Sequence, residues 1–187
     1  MKKIIMRIFG AFLLILLVFL IVRIFIAESE GTLSDAMPTA ALKEAYYGGE
    51  DILTHGIEEP NSTDGVMRCY SLIWIPSAGE MQVTVKYNYG IYRNNNLTEG
   101  SPFAFKLYDS ASEKEYDDYS EKRDESGHYG YYRLAFHGVS YSPGSDIEIV
   151  MCSPDYNFDY SVVKLHASGQ EFVKYELSDE EIAALGE

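Results

Sequence analysis

No aspartate or glutamate occurs before position 28, although the 187-residue chain contains 29 acidic residues. The first 27 residues hold Lys2, Lys3, Arg7 and Arg23, four of the fifteen basic residues. The remainder therefore sets 11 basic against 29 acidic residues, a net charge of −18. Such a field repels phosphate backbones and anionic head groups, which argues against nucleic acid as a partner. Its simplest consequence is colloidal solubility, and attraction of cations or of a basic partner is the functional alternative.

Other absences narrow the chemistry. There is no Gly-rich phosphate loop, no Gly-x-Ser-x-Gly elbow, no His-x-x-x-His or Cys-x-x-Cys frame and no repeat of 20–50 residues. No cofactor is expected. His55, His128, His137 and His166 are scattered and read as surface or strand-end residues. The two cysteines are too few to staple a disulfide-dense scaffold, and none is needed, since about 160 residues can bury a core unaided. Cys69 and Cys152 each fall in a predicted strand, where they can form a structural disulfide or lie buried as free thiols. Nothing local marks either as a nucleophile.

Residues 4–27 read IIMRIFGAFLLILLVFLIVRIFIA. A helix of that length spans about 36 Å, enough to cross a hydrocarbon core of about 30 Å. Arg7 and Arg23 bracket the uninterrupted apolar run and can snorkel to the interfaces. The basic flank at the start and the acids after the end predict a cytoplasmic N-terminus, with residues 28–187 outside. The segment reads as an uncleaved signal-anchor, 1–27. Cleavage before Glu28 is the rival, although Phe25 suits a small-residue cleavage position badly. No cysteine follows the apolar run to carry a lipid.

Residues 28–65 read as a tether with one short helix. Ser34 or Thr39 can cap it, residues 40–47 favour helix, and Gly48-Gly49 stops it. From Val66 the apolar period becomes two. Met81, Val83, Val85, Tyr87 and Tyr89 share one strand face, and Gln82, Thr84, Lys86 and Asn88 the other. Phe103, Phe105 and Leu107 repeat the pattern, as do Tyr132, Leu134 and Phe136, and Ile147, Ile149 and Met151. Residues 66–75, 156–165 and 170–176 are further strands. The expected fold is mainly β: an antiparallel β-sandwich of about seven strands over residues 66–187, preceded by the transmembrane helix. A capping box, Ser178 with Glu181, predicts a short C-terminal helical turn.

Residues 113–125 hold seven acids, a pattern that fits a solvated loop or, without EF-hand spacing, an irregular calcium site. Asn61 and Asn96 head glycosylation acceptor triplets. All sixteen tyrosines lie between Tyr46 and Tyr175. Many suit half-buried pleated surfaces, and clustered exposed rings would suit a contact patch. Because Leu134 and Phe136 point inward with Tyr132, alternation sends Tyr129, Tyr131 and Arg133 to the opposite face, the expected binding surface. The leading expectation is a non-catalytic binding or structural module of the cell surface or envelope, held in the bilayer by residues 4–27. It would have a protein or carbohydrate partner outside the cytoplasm. An envelope-directed hydrolase and a calcium-dependent adhesion or sensing module are the alternatives.

Overall fold

The computed structural model describes residues 13–19, 36–54, 62–88, 103–126, 129–141, 144–165 and 171–186. The chain divides into two units, Met1–Leu33 and Ser34–Glu187. In the first, residues 13–19 are helical. The rest of the expected bilayer span, residues 4–12 and 20–27, lies outside the described residues. Among the described residues no helix is long and apolar enough to cross a membrane.

The second unit is mainly β, with ten strands among its described residues in two antiparallel sheets. The strands are β1 (Leu53–Thr54), β2 (Met67–Ile75), β3 (Glu80–Asn88), β4 (Ala104–Asp109), β5 (Lys114–Tyr116), β6 (Tyr119–Ser126), β7 (Tyr129–Phe136), β8 (Ile147–Cys152), β9 (Asp159–Leu165) and β10 (Val173–Lys174). Sheet A runs β10-β1-β2-β3-β7-β6, and sheet B runs β5-β4-β8-β9. The inward parity is the expected one. Met81, Val83, Val85 and Tyr87 of β3 and Tyr132, Leu134 and Phe136 of β7 meet Phe105 and Leu107 of β4 and Ile149 and Met151 of β8 in one core. Aromatic pairs bridge the sheets, with Phe105 against Tyr132 at 4.8 Å and Tyr87 against Phe103 at 5.1 Å. Several tyrosines are thus core residues, for which a pleated surface and a partner ring suffice as explanation.

Three strands were not anticipated. The acidic run at 113–125 is no loop: it forms β5 and most of β6, the outermost strands of the two sheets. Charged residues on both faces of β6 hide its period, and such residues protect an edge strand from pairing with another chain. Strand β1 is too short to show a period, and it exists because β2 and β10 flank it.

The stretch expected as a tether also differs. Helix α1 (Ala40–Gly48) starts at Thr39, whose side chain accepts from the Leu42 N–H, and Pro38 directly precedes that cap. It ends at Gly49, in the left-handed conformation at φ 69°, which glycine adopts without penalty. Leu42 and Ala45 pack with Ile52, Ile73, Ile75 and Leu185 in a second apolar cluster on the outer face of sheet A. Helix α2 (Asp179–Leu185) contributes Leu185 and carries the expected capping box. Part of β2 is therefore buried on both faces, which a period of two along the strand alone does not reveal.

Candidate functional site

The outer face of sheet A has two halves. Under the 36–52 segment and α2, it is closed by a polar network as well as by the second apolar cluster. Gln82 and Glu80 are only 2% exposed. The Gln82 Oε1 accepts from the Met37 N–H at 2.7 Å, and its Nε2 donates to the Met37 carbonyl at 3.0 Å. Glu80 Oε1 accepts from Thr39 Oγ1 and from Gln82 Nε2. Buried polar groups on a sheet face are stable only when paired in this way.

Beyond that cover the face is open. Cross-strand register places Lys86 between Arg68 of β2 and Tyr131 of β7. The Lys86 Nζ lies 3.9 Å from the centre of the Tyr129 ring, 5.7 Å from Tyr131 and 5.9 Å from Tyr70. Arg68 lies 5.1 Å over Tyr70. Tyr70 and Tyr129 are 45% and 40% exposed. Each cation–π contact contributes about 0.5–1 kcal/mol where water has access. The result is an aromatic surface around Lys86 and Arg68, on a domain that is otherwise strongly acidic.

Of the residues expected at this surface, Tyr129 and Tyr131 stand in it. Arg133 shares the face but is 8% exposed and ion-paired with Asp124 at 3.5 Å. Lys86 and Tyr70 were missed as members. Lys86 was already legible on the polar face of β3, but its neighbours depend on strand order. The parity of Tyr70 is set by a bulge between Cys69 and Ser71.

The two cysteines are not brought together. Both are buried free thiols. Cys69 faces the inter-sheet core, whereas Cys152 follows inward-facing Met151 and pairs with Ala104 on the opposite face of sheet B. Their Sγ atoms donate instead to the carbonyls of Ser71 and Ala104. Burial pushes the Cys69 thiol up to about 12 and the Cys152 thiol up to about 11, so both are protonated and poor nucleophiles at neutral pH.

A third constellation lies on the same sheet. Ser120 Oγ is 2.9 Å from His137 Nε2, and His137 Nδ1 is 3.5 Å from Glu80 Oε2. Ser120 is exposed, the imidazole half-buried and the carboxylate buried. This order of groups is the one a serine nucleophile, its base and an orienting acid require. Ser120 nevertheless sits on an edge strand, and none of the three lines either the cleft walled by Trp74, Tyr141 and Phe172 or the smaller one of about 270 Å³ between the end of α1 and Tyr175. Among the described residues no group of three or more His, Cys, Asp or Glu side chains is disposed to hold a metal. His55, His128, His166, Asn61 and Asn96 lie outside the described residues. Comparison of the chain with protein-family models, curated proteins and solved structures finds no match in any of the three.

Proposed function

We propose that the chain is a non-catalytic binding module of the cell surface or envelope, anchored in a bilayer by residues 4–27, with residues 28–187 outside the cytoplasm. The open half of the outer face of sheet A is its contact surface. The observation that carries this reading is the packing of Tyr70, Tyr129 and Tyr131 around Lys86. Tyrosine and arginine, here with Arg68 over Tyr70 beside the Lys86 cluster, are the residue types enriched at binding hot spots, because each offers a large contact area with a polar end. A protein or carbohydrate bearing negative or hydroxyl groups fits it. The anchor is supported by the segregation of charge along the chain. It is supported too by the helical residues 13–19, each of which exposes 47–66% of its surface although all are apolar.

One experiment with the full chain tests both parts. Protease added outside intact cells is expected to remove the acidic domain and leave a short membrane fragment. Purified in maltoside micelles and applied to arrays of acidic and neutral glycans and acidic peptides, the chain is expected to bind a subset. Lys86→Ala and Tyr131→Ala should abolish that binding while costing no more than about 1 kcal/mol of stability. Protection of the domain in intact cells would overturn the topology. Binding unaffected by both variants would overturn the surface.

The hydrolase reading rests on Ser120, His137 and Glu80. If these form a working relay, a fluorophosphonate probe will label Ser120, and His137→Ala will abolish the labelling. Absence of labelling reduces the constellation to a hydrogen-bonded clamp between β6, β3 and the end of β7.

A further inference from the structure

At the β1–β10 edge of the sandwich the described residues form a cleft of about 790 Å³, well away from the Lys86 surface along β2. Its volume is that of a small-molecule site. Leu53, Trp74, Val139, Tyr141, Glu171 and Phe172 contribute its walls. The Trp74 and Tyr141 rings meet at 6.1 Å with planes 75° apart, and those of Tyr141 and Phe172 at 5.4 Å and 62°. Trp74 and Tyr141 are 6% and 8% exposed, so each shows only part of its ring to the cleft, and half-buried Phe172 completes the aromatic wall.

Polar groups in the cleft are few and of one sign. The Tyr141 hydroxyl donates to the Ser145 carbonyl at 3.0 Å, and the Ser140 N–H donates to the Tyr116 hydroxyl at 3.1 Å, so both protons are already engaged. Glu171, exposed at the rim, is the one charged side chain among the described lining residues. Burial, with the carboxylates of Asp109 and Asp146 adding to it, raises the Tyr141 hydroxyl above its ordinary range despite its hydrogen bonds. The chain as a whole carries −14.

These features discriminate among ligands. An anion would meet Glu171 and the general field. A neutral apolar molecule would fill the walls but gain nothing from the carboxylate. A small metal cation would exchange its hydration shell for one carboxylate and hydrocarbon. An alkylated ammonium group is weakly hydrated and spreads its charge over methyl groups, which the negative faces of aromatic rings attract. We propose that this cleft binds small organic cations of the substituted-ammonium class, with Phe172 and the accessible parts of Trp74 and Tyr141 as the aromatic wall and Glu171 as the counter-ion. The site does not depend on the proposed Lys86 surface.

Trp74 is the only tryptophan of the chain, so its emission reports occupancy without a label. The full chain in maltoside micelles is titrated at constant ionic strength with choline chloride and, separately, with 3,3-dimethyl-1-butanol, in which carbon replaces the nitrogen. Choline is expected to give a saturable change and to bind about tenfold more tightly than the neutral isostere. Glu171→Gln, at an exposed position, should weaken choline by about fivefold to tenfold and leave the isostere unchanged. Phe172→Leu keeps apolar volume, removes a ring face and should weaken choline selectively. The proposal is overturned by the absence of a saturable choline response up to roughly tens of millimolar. Equal affinity of the isostere, or choline binding indifferent to both substitutions, would also overturn it.

Discussion

Gly130→Ala is expected to destabilise the folded domain by about 3 kcal/mol, at the upper end of the range for overpacking a core. Gly130 faces Tyr87 directly across the β3–β7 ladder. A Cβ built on Gly130 would overlap Cζ and Cε1 of that ring. The ring has nowhere to retreat, because Phe103 packs at 5.1 Å and Tyr132 at 5.5 Å, and all three are buried. For a chain of this size the loss corresponds to a melting temperature lower by about 6–12 °C. The interaction is specific to the ring, which makes it testable by a cycle. Gly130→Ala added to Tyr87→Leu should cost at least about 1 kcal/mol less than Gly130→Ala alone. Full additivity would show that the strand tolerates the methyl for some other reason and that the register is misplaced.

Glu181→Ala is expected to cost about 3 kcal/mol or more, because one carboxylate accepts three hydrogen bonds and ties the 175–181 segment to Ala36. Glu181 is 4% exposed. Its Oε1 accepts from the Ala36 N–H at 2.8 Å and from the Tyr175 hydroxyl at 2.9 Å, and its Oε2 accepts from the Ser178 N–H at 2.7 Å. Removal loses the capping box of α2 and takes the carboxylate acceptor from the buried Ala36 N–H. Burial acts to raise this carboxyl, but the hydrogen bonds from Ser178, Ala36 and Tyr175 outweigh it and hold the group below its ordinary 4.5. A carboxyl depressed in the folded state contributes stability that is complete above the unfolded value and is lost as pH falls through the folded one. Stability measured by denaturant titration should therefore decline on acidification below about 4.5 less steeply in Glu181→Gln than in the unsubstituted chain. Parallel slopes would show that the carboxylate is not linked to folding. Asp64 and Asp109 will still contribute an acid-labile component of the same sign. Burial opposes their ionisation too, and hydroxyl and backbone donors override it.

How much of this was legible varies residue by residue. The capping box of Ser178 and Glu181 is a local pattern, readable because its members are three positions apart. That the same Glu181 also receives the Ala36 N–H, 145 residues earlier, is not. The inward parity of Tyr132, Leu134 and Phe136 followed from alternation, and so did the outward parity of Tyr129 and Tyr131. Alternation assigns a face but not what covers it. Arg133 and Gln82 lie on the outer face yet are buried, because the 36–52 segment and neighbouring side chains close over part of the sheet. Lys86 gains its three tyrosines only through strand order, and Tyr70 joins them only through a bulge. The Ser120, His137 and Glu80 contact joins residues from three strands or strand ends that no spacing rule connects.

The amino-acid sequence by itself determined the segregation of charge, the apolar run at 4–27, the period-two strands, the glycine stop of the first helix and the capping box of the second. Each of these depends on neighbours within a few residues: a side-chain parity, a hydrogen bond to the next turn, a transfer free energy summed along a segment. Tertiary structure alone decided that residues 36–52 belong to the domain and that the cysteines lie on different faces. It also decided that the acidic run pairs as edge strands, that Gly130 sits beneath Tyr87, and that Trp74, Tyr141 and Phe172 line one cleft. These rest on register and sheet order, and those follow from packing two whole sheets and two helices to a common density, a global condition that no local pattern encodes.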